Sequence, residues 1–147
     1  MLKKTNKNAA ASTTRNRAAK AYWLPIPKRD AQTIILQYRL ALETIRRDKA
    51  SQVEAQCIAQ AVLLTRLLSE TGHGKLDAEI LRDTEEDVLA MLDLGARSGI
   101  WRYPATGIAR LTQVVNEHDR QLHEVNLSAL IACNERLRGF IETAAKA

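Results

Sequence analysis

The chain has 147 residues, room for one domain that buries a core without metal or disulfide staples. Aromatics make up only 4 % of it, with a single Phe, so its apolar content is aliphatic and argues against a sheet built on aromatic and β-branched pairs. The formal charge of +5 is unevenly spread: residues 1–29 hold eight bases and no acid, while residues 30–147 hold 14 bases against 17 acids and are net −3.

Residues 1–21 carry Lys3, Lys4, Lys7, Arg15, Arg17 and Lys20 among Ala, Asn, Ser and Thr. So little apolar surface cannot offset the entropy of ordering, and the stretch reads as a disordered basic tail. It has no apolar run suited to a secretory signal and no spaced Leu or Phe suited to a transit helix. No segment approaches the ~20 apolar residues of a membrane span, so the expected setting is the cytoplasm, without a membrane partner. Residues 22–29, Tyr-Trp-Leu-Pro-Ile-Pro-Lys-Arg, read as an extended strap, because Pro25 and Pro27 bar a helix. Tyr22, Trp23, Leu24 and Ile26 either pin this strap to the body or offer a docking site.

Residues 30–147 read as the folded domain. Asp30 is the expected N-cap of a first helix with Ile34, Tyr38, Ala41, Leu42 and Ile45 on one face. Its basic end, Arg46-Arg47-Asp48-Lys49, suits the negative pole of the helix. Ser51 and Glu54 form an S-x-x-E capping box that starts a second helix. Its stripe of Val53, Cys57, Ala61, Leu64 and Leu68, widened by Ile58, Val62 and Leu67, predicts the most buried helix of the set.

Thr71-Gly72-His73-Gly74 ends that helix. A third is predicted over about 76–94, with Ile80, Val88, Met91 and Leu92 inward and its acids on a solvated face. Gly95 to Pro104 reads as a loop, with Pro104 in the first turn of the next helix. Beyond it Ile108, Leu111, Val115, His118, Leu122, Val125 and Ala129 recur in steps of three and four, followed by a second phase of Leu127, Leu130, Ile131, Asn134, Leu137 and Ile141. One helix over 105–143 would run roughly 58 Å at ~1.5 Å per residue, so a bend or break is expected near Asn126, or else half the helix projects towards a partner. The sum is an all-α chain: an antiparallel helical bundle of about four helices behind a disordered basic N-terminal tail.

Chemistry-bearing patterns are sparse. Cys57 and Cys133 lack a C-x-x-C neighbour and read as small buried apolar residues. His118 and His123 lie ~140° apart around a helix and cannot share a metal on one face; His118, on the apolar seam, reads as a core histidine. No phosphate-cradling loop, no zinc-protease helix motif and no nucleophile–base pair is present, so neither catalysis, nor a cofactor, nor a metal, nor a small-molecule substrate is expected.

The stretch Arg97-Ser98-Gly99-Ile100-Trp101-Arg102-Tyr103 is the most distinctive of the body. Arg97, Trp101, Arg102 and Tyr103 are candidate partner-binding residues, since Arg and aromatic side chains anchor interfaces and stack on bases. The competing reading is that Trp101 plugs one end of the helices.

Arg97, Gly99, Trp101, Gly107, Leu111, His118, Asp119, Gln121 and Leu122 form a loose pattern. It resembles one found in small uncharacterised helical proteins of proteobacterial phages and mobile elements. The resemblance spans residues 24–122, excludes the tail, and implies a setting and no mechanism.

Two functions remain in view. One is a non-enzymatic accessory or regulatory protein whose tail residues Lys3, Lys4, Lys7, Arg15, Arg17 and Lys20 meet the phosphates of a nucleic acid without sequence preference. The other is an interaction or inhibitor module that binds a protein, or a second copy, through the Trp101 loop or the last helix.

Overall fold

The computed structural model describes residues 19–146. Among them are a short helical segment at 19–23, five long α-helices and no strand. The long helices are α1 (Lys28–Arg46), α2 (Gln52–Leu68), α3 (Ala78–Ser98), α4 (Ile108–Glu124) and α5 (Leu127–Lys146). The expectation of a disordered tail over residues 1–21 falls for residues 1–18, and with them Lys3, Lys4, Lys7, Arg15 and Arg17, outside the described residues; residues 19–21, Lys20 among them, are helical rather than disordered.

The strap is shorter than its sequence suggests. Tyr22 and Trp23 belong to the helical segment, only residues 24–27 are non-helical, and Lys28 and Arg29 already lie in α1. Pro27, not Asp30, is the N-cap of α1: its carbonyl accepts the amides of Asp30 at 2.9 Å and Ala31 at 3.1 Å. Proline suits this boundary because its extended ψ of 140° and missing N–H cost nothing before the first turn. Asp30 sits inside that turn, where its charge favours the positive helix end.

The buried face of α1 is Ala31, Ile35, Tyr38, Ala41, Leu42 and Ile45; Ile34, expected inward, is half-buried. The helix ends in a Schellman turn. Asp48 takes φ 62°, its amide reaches the Ile45 carbonyl, and the Lys49 amide reaches that of Thr44 at 3.1 Å. The capping box then starts α2 as read from the sequence, with the Ser51 amide donating to Glu54 Oε2 at 2.9 Å.

Helix α2 is the central element and packs on α1, α3, α4 and α5. Ile58, Val62, Leu67 and Leu68 are fully buried, as its wide stripe predicts. Val53 departs from the stripe and is 72 % exposed, although Ala55 in the same turn is fully buried, so Val53 lies on the outward side of the helix start. The helix runs on into a single π turn, Ser69–His73.

Asp77 caps α3 by accepting the Glu79 amide at 3.0 Å. The helix continues four residues past its expected end, through Gly95 to a left-handed Gly99 at φ 74°. Glycine stands inside the helix at position 95 for a steric reason. The Trp101 ring lies against the Gly95 backbone, so closely that a Cβ there would stand 2.1 Å from the ring. The acids of α3 do not form one solvated face: Glu85 pairs with Arg66 of α2, and Asp87 pairs with Arg110 of α4, each at 2.9 Å.

The last segment is two helices. A 3-10 turn, Ala105–Gly107, follows Pro104 and leads into α4; Val125 is extended at ψ 139°, and Asn126 starts α5 by accepting the Ala129 amide at 2.8 Å. The break is therefore where the change of hydrophobic phase places it, and among the described residues five long helices and the segment at 19–23 stand where about four helices were expected. Arg39 meets Asp119 and Asn116 while Arg46 meets Thr112, so α1 and α4 run antiparallel. Leu130, Cys133 and Leu137 seat α5 against α2, but Ile141, expected in the stripe, is 59 % exposed beside an exposed Phe140.

The Gly95–Trp101 contact has a measurable consequence. Gly95→Ala gains about 1 kcal/mol of helix propensity but forces the indole away. A net loss of about 1–3 kcal/mol is expected from the overpacking. Urea unfolding should show a lower midpoint at unchanged slope; a raised midpoint would contradict the contact.

Candidate functional site

Three regions bear on function. The first is the basic N-terminal segment where it meets the body. Lys20 is exposed on the helical segment, and Lys28 and Arg29 are exposed in the first turn of α1. Bases at a helix start oppose its dipole, so helix stability does not call for them there. The segment is fixed to the body by its backbone. The Leu127 amide donates to the Leu24 carbonyl at 3.0 Å, and Pro25 bridges to Asn126. Ile26 is half-buried and packs on the core, whereas Tyr22, Trp23 and Leu24 face solvent. Of the four side chains expected to pin the strap or dock a partner, Ile26 does the pinning.

The second region is the loop after α3. The structure does not gather its four candidate residues into one surface. Trp101 is half-buried over Gly95, and Tyr103 is 5 % exposed with its hydroxyl 3.5 Å from Asp87 Oδ2. Burial and the Asp87 carboxylate push the Tyr103 hydroxyl far above its usual pKa. Arg97 and Arg102 point outwards and pair with Asp93 at 2.8 Å and Asp48 at 3.3 Å. Both aromatics thus orient the chain between α3 and α4, which is the plug reading of Trp101. Beside the loop lies an open groove of about 620 Å³, lined by Ile45, Met91, Leu94 and Ile108 with Arg46 and Arg102.

The third region is a polar network inside the helices. Glu117 is only 7 % exposed. Its Oε2 accepts the backbone amides of Lys75 and Leu76, both at 2.7 Å, and its Oε1 accepts Arg120 Nε at 2.6 Å. Burial raises the Glu117 pKa, but these hydrogen bonds more than offset it, and the carboxyl titrates below its ordinary value. Arg120 also donates to the His73 carbonyl at 2.7 Å and to Glu124 at 2.6 Å. One turn on, Gln121 Nε2 reaches the Thr65 carbonyl and Ser69 Oγ, both at 3.3 Å.

His118 is buried between these groups, edge-on to Tyr38 with ring centroids 5.3 Å apart and Nδ1 3.4 Å from Gln121 Oε1. Desolvation outweighs its Gln121 contact and brings its pKa down to about 4, so the ring is neutral at pH 7. His118 is the core histidine that its seam position implies. The sequence reading missed Glu117, Arg120 and Gln121. Their signal is a polar stripe at three- and four-residue spacing flanking His118, on the side of α4 that meets the Ser69–Leu76 connection.

Burial raises the thiol pKa of both Cys57 and Cys133, and neither is disulfide-bonded. Burial also lifts Tyr38 to about 12. Among the described residues no three His, Cys, Asp or Glu side chains gather as a metal site would require, and no helix is long and apolar enough to cross a membrane. His123 Nδ1 is 3.0 Å from the Asp119 carbonyl. Compared with protein-family models, with curated protein sequences and with solved structures, the chain shows no significant match.

The network makes stability pH-dependent with a definite sign. His118 is neutral when folded above about pH 4, while the unfolded side chain binds a proton near 6.5. The unfolded state therefore holds more protons across that window, and stability falls as pH falls, by up to about 1.4 kcal/mol per unit. Glu117 works in the same sense, since its lowered pKa means that its contribution is lost as pH falls through the folded value. Unfolding free energies from pH 7 to 4 should decline for the wild type and decline less for His118→Phe. Identical slopes would contradict the neutral buried ring.

Proposed function

We propose that the chain is a non-enzymatic accessory or regulatory protein of a phage or mobile element, which holds nucleic acid without sequence preference through its basic N-terminal segment. The charge split carries this reading: eight bases and no acid in residues 1–29, ahead of a net acidic body. A polyanion meets the segment without repulsion, and counterion release supplies the affinity. Exposure of Lys20, Lys28 and Arg29 where the segment joins the helices supports it further. The protonated thiols and the neutral, enclosed His118 leave no activated nucleophile or base in the described core, which favours binding over catalysis. We read the helices as an antiparallel bundle that acts as a scaffold in the cytoplasm, and the phage setting rests on the motif around Trp101 and His118.

A second reading keeps one specific observation. Phe140 and Ile141 are exposed side by side on the distal half of α5, beyond its contact with α2. That end of the helix suits a protein partner or a second copy better than the Trp101 loop does, because Trp101 is engaged with Gly95.

Fluorescence anisotropy with a labelled DNA duplex at low and high salt tests the first reading. Binding is expected to weaken steeply with salt. Deleting residues 1–21, which carry six bases, should flatten the log–log slope by up to about five. Absence of binding at low salt, or binding that survives the deletion, would overturn it. If α5 is instead the functional surface, light scattering should show a self-associated species that Phe140→Asp dissolves.

A further inference from the structure

We propose that Tyr22 and Trp23 form a stacking platform for the bases of single-stranded nucleic acid, held at the root of the basic segment. The inference rests on the nucleic-acid reading above and names the form of the partner. Aromatics are scarce in this chain, with two Trp, three Tyr and one Phe. Tyr38 and Tyr103 are buried, and Trp101 covers Gly95. Trp is a residue that folded chains usually cover, yet Trp23 is 71 % exposed, next to Tyr22 at 46 %.

The pair is anchored. One residue on, the Leu24 carbonyl accepts the Leu127 amide, Pro25 bridges to Asn126, and Ile26 packs on the core. The rings therefore stand on a short, fixed stalk, which lowers the ordering entropy that binding must overcome. Charge selects the ligand. Lys20 precedes the rings, Lys28 and Arg29 follow them, and no acid occurs before Asp30. Exposed π-faces interleaved with cations suit a strand whose bases are unpaired and whose phosphates run alongside; in a duplex the base faces are already stacked. An anionic lipid surface would also attract the cations. The stretch before the rings, however, lacks the spaced apolar residues with which an interfacial helix enters acyl chains.

The test titrates the full-length protein, Trp23→Ala and Trp23→Phe with a labelled oligothymidine and with a duplex of equal length, following anisotropy and tryptophan emission. Circular dichroism verifies that each variant is folded. The wild type should bind the single strand more tightly and lose tryptophan emission on binding. Trp23→Ala should lose about tenfold for the single strand, with duplex affinity and salt slope unchanged, and Trp23→Phe should recover most of that loss. Single-strand affinity unaltered by Trp23→Ala, with salt-sensitive binding intact, would overturn the platform and leave the tail reading standing. No binding of either nucleic acid at low salt would overturn both. A blue shift of tryptophan emission on phosphatidylserine vesicles, without quenching by oligothymidine, would overturn the platform in favour of a membrane surface.

Discussion

Burying a carboxylate is costly unless donors replace the water it loses, and in this chain Glu117 has three. Two are backbone amides of Lys75 and Leu76, in the connection between α2 and α3, and the third is the guanidinium of Arg120 on its own helix. Arg120 then takes up the His73 carbonyl, so the same connection is held from both sides of one helical turn. Without Glu117 the two amides that precede α3 would lose their protein acceptor. The direction in which α3 leaves α2 follows from these contacts.

The other ties of α4 are laid along the same helix. Toward its start, Arg110 reaches Asp87 of α3; toward its end, Asp119 receives Arg39 of α1. These pairs are partly exposed, and each contributes at most about 1 kcal/mol, so they set orientation more than stability. Cohesion comes from α2, whose aliphatic face meets four helices, and from the Trp101 indole on Gly95 at the far end.

The features legible in the sequence are those decided locally. The Ser51–Glu54 capping box spans four residues, and the break at Asn126 is marked by a change of hydrophobic phase. Both elements form where the pattern places them. Features decided by distant partners were not legible. Gly95 looks like a helix terminator until Trp101 is seen to need its missing side chain. Glu85 and Asp87 look like part of a solvated acidic run until Arg66 and Arg110 are brought beside them. Glu117 lies more than forty residues from the amides it serves. Of the candidate site residues, the Trp101 loop was found by composition, but its division into inward aromatics and outward arginines depends on the packing of α3 against α4.

The helices are held by an internal polar clasp, and in the function proposed above the charge that would meet a polyanion is concentrated in residues 1–29. Hydrogen exchange at two backbone amides tests the clasp most directly. Lys75 and Leu76 lie outside any α-helix, yet their amides should exchange only at rates set by global unfolding, and Glu117→Gln should release both by several orders of magnitude relative to the α2 core. Exchange of these amides in the wild type at the rate of an open loop would contradict the clasp as the constraint on which the arrangement of α2, α3 and α4 depends.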